Sequence, residues 1–213
     1  TSTDAGSNNG SDVANWVFDS ARKAGDSAVV TSDSNCYVVV FRSVGRQEYA
    51  TKDVRHILFK VDESALDSEA ETYEADLQAA KDAAKTAAED ALAQWKAGEA
   101  TEDSFAALAN ELSTDAGSNT NGGLYTKIYK NQMVTEFNDW CFDASRQSGD
   151  TGIVYGESSN YKGYHVIYFV GDDVPYWQVQ AENALRNTDT EAWLDGLLDS
   201  AEVVQENGMK HVG

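Results

Sequence analysis

The chain is poor in several things at once. Its 213 residues include one proline, two cysteines and 16 basic residues against 36 acidic ones. It also has no apolar run long enough to span a bilayer. Each shortage excludes something. A formal charge of −20 argues against nucleic acid or an anionic membrane as the main partner, because both are held by clusters of Lys and Arg. Spread along the chain, that charge reads as a solubility device and leaves neutral or basic polypeptides open as partners. Cys36 and Cys141 show neither CxxC nor Cys/His ligand spacing, so they read as small core residues rather than as a metal site or a disulfide. The missing bilayer-length segment predicts no direct membrane insertion. Because the chain opens inside a motif, any targeting segment is expected to lie outside it.

What is present is a repeat. Ser-Thr-Asp-Ala-Gly-Ser-Asn occurs at Ser2 to Asn8 and again at Ser113 to Asn119. Farther on, Trp16, Phe18, Asp19, Arg22, Gly25 and Asp26 are matched by Trp140, Phe142, Asp143, Arg146, Gly149 and Asp150. Both copies end in an apolar run, Tyr37 to Phe41 and His165 to Phe169. The offset grows from 111 (113 − 2) to 124 (140 − 16), so 13 residues of the second copy have no counterpart in the first. The chemistry is expected in that stretch.

The order of elements follows from periodicity. Thr1 to about Glu48 reads as a loop, a short helix (Val13 to Ala24) and two strands, the last being the β-branched run Cys36 to Phe41. Val54 to Val61 alternates apolar and polar residues as a half-buried strand does. Ser64 to Ala97 is rich in Ala, Glu, Lys and Leu without Gly or Pro, which predicts one long helix capped by Gly98 and exposing much of its surface. Asp103 to Leu112 carries Phe105, Leu108, Ala109 and Leu112 on one helical face. A short strand is expected after Gly122-Gly123, then a helix from about Met133 to Ser145, then strands over Gly152 to Gly156 and Gly163 to Val170. Past Pro175, Trp177 to Leu185 and Glu191 to Val203 look helical. The face Trp193, Leu194, Leu197 and Leu198 must pack on the N-terminal segment or on another chain as a homodimer.

Five spaced motifs stand together: Arg55-His56-Ile57-Leu58, Ala109-x-x-x-Ser113-x-Asp115, Gly122-Gly123, Gln132-Met133-Val134-x-x-Phe137 and Gly163-Tyr164-His165-Val166-Ile167. Their order resembles the parvulin (PpiC, rotamase) family of peptidyl-prolyl cis/trans isomerases over Asp53 to Val170. The long helix and the helical tail further resemble extracytoplasmic foldases of the PrsA type. The resemblance implies an α+β fold, a four-stranded antiparallel sheet flanked by helices, and no cofactor or metal. It carries His56, Asp115 and His165 onto the polar catalytic centre, with Met133, Phe137 and Tyr125 around the pocket for the substrate proline. It implies unfolded or proline-containing polypeptides as substrates and an extracytoplasmic location, secreted or anchored at the cell surface. Taken singly, each histidine would be an ordinary core residue and Asp115 a helix cap.

The chain departs from the family pattern in two places. Leu124-Tyr125-Thr126 stands where the family has Asp-Leu-Gly, altering the hairpin and pocket floor. Asn160 stands where a Ser or Thr supports the second histidine. Where phosphate-specific members carry basic residues, this chain has Asp62-Glu63-Ser64, which repels anions. The expected domains are 1–50, the C-terminal half of a degenerate parvulin-like repeat; 51–172, the isomerase; and 173–213, a helical tail that belongs to a chaperone domain in the foldase comparison. The first copy has Asn9 and Val13 for Met133 and Phe137, and Tyr37 for His165, and is expected to be inactive. Two readings of function remain: an isomerase acting non-covalently on unphosphorylated X-Pro bonds, and a catalytically weak, parvulin-shaped binding module.

Overall fold

A computed structural model describes residues 12–32, 35–158 and 161–200. The first motif copy, with Asp4 and Asn9, and also Asn160 lie outside them. The chain divides into two compact units, Glu48–Tyr176 and the segments on either side of it.

The Glu48–Tyr176 unit is α+β. Its strands are β3 (Ala50–Lys60), β4 (Leu124–Ile128), β5 (Thr151–Glu157) and β6 (Lys162–Pro175), in the antiparallel order β4-β3-β6-β5. The central pair is the most apolar. Val54, Ile57, Val166 and Ile167 are fully buried there, as befits strands covered on both faces. On one face lie α2 (Tyr73–Ala97) and α3 (Glu102–Leu112), which pack Ala88, Ala91, Trp95, Phe105 and Leu108 on Ile57, Val166 and Tyr168. Alanines let the α2 backbone approach the sheet closely, and Trp95 and Phe105 meet edge to face with centroids 5.9 Å apart. On the other face, Phe137 and Cys141 of α4 (Thr135–Cys141) pack on Val54, Ile128, Ile167 and Phe169.

Several boundaries differ from the expectation, for local reasons. α2 begins at Tyr73 rather than Ser64 because Asp62 and Asp67 turn the chain first: Asp62 Oδ1 accepts from the Ser64 amide at 3.0 Å and Asp67 Oδ1 from the Glu69 amide at 3.0 Å. Such side-chain turns compete with helix. Gly98 does close it, its amide donating to the carbonyls of Gln94 and Trp95. α4 starts after Met133 and stops at Cys141, where Asp143 captures the Ser145 amide at 2.8 Å. The same device ends α1 (Asp12–Val17) well short of Ala24, with Asp19 accepting from the Ala21 amide at 2.9 Å.

In the flanking segments, β1 (Ser27–Ser32) and β2 (Asn35–Val40) form a two-stranded antiparallel sheet. The tail is one helix, α5 (Tyr176–Ser200), not two. Thr188 and Thr190 lie within it, their hydroxyls donating back to the carbonyls of Ala184 and Arg186 at 3.0 and 2.7 Å. Its Trp193, Leu194, Leu197 and Leu198 are exposed, so among the described residues this face packs on nothing, and of the two expected partners the N-terminal segment does not cover it there. Cys36 is also exposed rather than core, whereas Cys141 is buried, its thiol pushed up to about 12 by desolvation. No helix among the described residues is long and apolar enough to cross a membrane.

Candidate active site

His56 lies on β3 and His165 on the adjacent β6, offset so that His56 pairs with Ile167 and His165 with Leu58. Both side chains therefore emerge on one face of the sheet, and both residues are only 4% exposed. Their Nδ1 atoms are 3.1 Å apart. Asp115 comes from the loop after α3, which Ser113 and Thr114 pin to β3. The Leu58 amide donates to Ser113 Oγ at 3.0 Å, and Thr114 donates to the Leu58 carbonyl from its amide at 2.9 Å and its hydroxyl at 2.8 Å. The loop then turns through Asp115 and Ser118 toward Gly122-Gly123.

The second glycine of that pair is irreplaceable in this geometry. Gly123 has φ +70°, and a Cβ there would sit 2.2 Å from the His56 carbonyl oxygen and 3.0 Å from Ala109 Cβ. The close approach lets the His56 amide donate to the Gly123 carbonyl at 2.9 Å, which locks the loop to the strand that carries the histidine. Arg55 holds the other glycine, donating to the Gly122 carbonyl at 3.0 Å while its Nε pairs with Glu102 at 2.9 Å.

Three donors converge on one oxygen of Asp115. Its Oδ2 lies 3.0 Å from His56 Nε2, 2.6 Å from Ser118 Oγ and 2.9 Å from the Tyr125 hydroxyl. The His56 hydrogen bond holds the carboxyl well below its ordinary range; Ser118 and Tyr125 add to this against the opposing effect of burial. His165 is lowered as well, which for a base favours the uncharged form: desolvation, then the neighbouring His56, brings it to about 3, so it is neutral at pH 7. Its remaining nitrogen, Nε2, is 3.1 Å from the Tyr161 hydroxyl.

The carboxylate sets one end of this hydrogen-bonded chain. An ionised Asp115 only accepts, so His56 presents Nε2–H to it. His165, held neutral, can donate Nδ1–H to His56 Nδ1 and accept from the Tyr161 hydroxyl at Nε2. In that arrangement the donors Tyr161, His165 and His56 all point along one chain that ends on the carboxylate. Burial raises the Tyr161 phenol and takes that of Tyr125 to about 12, so both hydroxyls keep their protons.

An apolar wall stands beside this cluster. Phe137 meets the His56 and His165 rings edge-on, at centroid separations of 5.7 and 5.2 Å. It is 2% exposed, deeper than a surface that grips a substrate ring needs to be. Met133, in the turn before α4, and Tyr125 are half-buried against the same cluster. Tyr125 thus belongs to both parts, its ring at the wall and its hydroxyl on Asp115. The six residues singled out from sequence are brought together. Ser118 and Tyr161 were missed. The run Ser113 to Asn119 repeats Ser2 to Asn8 through its second serine, a signal that pointed to Ser118; nothing local marked Tyr161.

The fold and this cluster define a class: a small α+β domain with a desolvated His–His–carboxylate centre against an apolar wall. The family model of the rotamase, PPIC-type PPIASE domain, matches residues 56–171, more than half of the chain. The chain belongs to the parvulin-type peptidyl-prolyl isomerase family. Among solved structures it is similar to peptidylprolyl isomerase (PrsA) from Bacillus cereus, at 23% identity and a TM-score of 0.41, over 76% of this chain and 54% of that one. The chain therefore spans about half the length of that protein. No curated protein matches it.

Proposed function

We propose that this chain isomerises X-Pro bonds of unfolded or secreted, unphosphorylated polypeptides without a covalent intermediate, and that His56, Asp115 and His165 are its catalytic centre. The observation that carries this is the hydrogen-bonded chain from Tyr161 through both histidines to an ionised, partly exposed Asp115. An X-Pro amide resists rotation by ~18–20 kcal/mol because resonance moves charge from nitrogen to the carbonyl oxygen. Twisting the bond returns that charge. A carboxylate beside the carbonyl oxygen repels the planar, charge-separated form more than the twisted one, and in a water-poor site the difference counts strongly. Asp115 Oδ1 is suited to this, since its hydrogen-bonded contact is the Gly117 amide at a long 3.3 Å. The histidines would act by holding the carboxylate ionised and aimed. Met133, Tyr125 and the edge of Phe137 would grip the proline ring.

Phosphorylated substrates are disfavoured: Asp62-Glu63-Ser64 offers no cation, and Glu63 is ion-paired with Lys162 at 2.8 Å. An extracytoplasmic, foldase-like setting accords with the resemblance to PrsA-type proteins. The burial of Phe137 favours a second reading, a groove that binds polypeptide and isomerises it poorly.

The deciding assay is the cis-to-trans rate of a short unphosphorylated X-Pro peptide with the parent chain, Asp115→Ala and His165→Ala, each checked for folding. Loss of an electrostatic group of this kind costs about 10²–10³ in rate, so acceleration by the parent should vanish in Asp115→Ala. No acceleration by the parent, with unfolded polypeptide still bound, would leave the binding reading.

A further inference from the structure

Over 16–41 and 140–169 the two copies of the repeat share their hydrogen bonding. Arg22 Nε donates to the Trp16 carbonyl at 2.9 Å, and Arg146 Nε to that of Trp140 at 3.1 Å. Each guanidinium lies 4.3 Å over its tryptophan ring. The Gly25 amide donates to the Phe41 carbonyl and the Gly149 amide to that of Phe169, both at 2.9 Å, with φ +95° and +91° at the glycines. β1 and β2 therefore correspond to β5 and β6, and α1 to α4.

What differs is the far side of β2. β6 has β3 along its second edge, whereas no strand among the described residues pairs with that edge of β2. One face of the hairpin is bare as well. Val29, Val38 and Val40 are 69%, 82% and 59% exposed. Their counterparts Ile153, Val166 and Tyr168 lie under α2 and α3. The outer edge of β1 needs no partner, because its counterpart β5 is itself the edge of its sheet.

From this correspondence we infer that the free edge of β2, with Val29, Val38 and Val40 beside it, is a docking surface for an antiparallel β-strand of the β3 kind, followed by a helix that covers the valines. The register is specified by the copy: Ile57 lies opposite Val166, so an apolar residue of the docked strand falls opposite Val38. Main-chain hydrogen bonds would hold the strand and its alternate apolar side chains would set its register. This inference is independent of catalysis at His56, Asp115 and His165.

Cys36 provides the test. It is exposed on β2, and the other thiol, Cys141, is buried with its pKa pushed up to about 12, so a thiol reagent reads Cys36 selectively. The full chain is alkylated with and without a peptide of the β3 sequence Ala50 to Val61. At a peptide concentration ten times its Kd, mass action leaves about a tenth of the edge free, and alkylation should slow about tenfold. Val38→Lys should abolish the protection, because a lysine on the edge opposes strand addition; Val38 is exposed, so the hairpin should tolerate the change. Absence of protection overturns the inference, as does equal protection by a scrambled peptide. Protection that grows with protein concentration alone overturns it in favour of self-pairing.

Discussion

The buried imidazole of His165 makes a quantitative demand on stability. In the unfolded chain a histidine titrates near 6.5, whereas burial and the neighbouring His56 bring His165 down to about 3 in the fold. Between those values the unfolded state binds a proton that the native state refuses. Stability is therefore complete above about pH 6.5 and falls as the pH is lowered toward 3, with a slope of at most about 1.4 kcal/mol per pH unit. Taking the window down to pH 4.5 gives a loss of about 2.7 kcal/mol from this one group. Asp115 contributes with the opposite kind of group but the same sense, since its depressed pKa stabilises the fold above the ordinary carboxylate range and is lost only at more acid pH. The assay is urea unfolding by tryptophan fluorescence at pH 7.5 and 4.5 for the parent and His165→Asn; Trp95 and Trp140 lie in the same unit as His165. The variant is less stable at pH 7.5, but it lacks the titrating group, and the many surface carboxylates are common to both chains. The stability gap should thus shrink by about 2.7 kcal/mol on acidification. A gap that stays constant would refute the assignment of a neutral, desolvated His165.

Two further outcomes follow from the loop and the carboxylate. Gly123→Ala places a Cβ 2.2 Å from the His56 carbonyl oxygen at φ +70°; left-handed strain plus overpacking should cost about 2–5 kcal/mol, seen as a lowered urea midpoint, and an unchanged midpoint would mean that the loop does not lie against β3. Tyr125→Phe removes one of three donors to Asp115 Oδ2. A hydrogen bond to a charged group is worth roughly 1.5–3 kcal/mol, at the low end here because Tyr125 is half-buried. The acid limb of kcat/KM should accordingly move up by about one pH unit, while a fixed limb would detach Tyr125 from the carboxylate.

The sequence disclosed most where one residue type had to serve one geometry. His56 and His165 sit in apolar runs whose alternation places both on the same sheet face, and Gly123 stands where only glycine lets two backbones approach. The central strands of the sheet were legible too, Val54 to Val61 by its alternation and Gly163 to Val170 by its apolar run, although the alternation described a half-buried strand and β3 is covered on both faces. Boundaries were less legible, because they were set by single side chains acting against propensity. Asp62 and Asp67 delay α2, Asp143 ends α4, and Asp19 ends α1, although the residues beyond each are acceptable in helices. Cys36 illustrates a different limit. Its apolar, β-branched surroundings describe a strand that would be central in a complete sheet, and in the second copy the matching strand is central. Pattern reports the environment a segment is built for; whether the environment is supplied depends on a partner, and for β2 that partner is the strand its own repeat predicts.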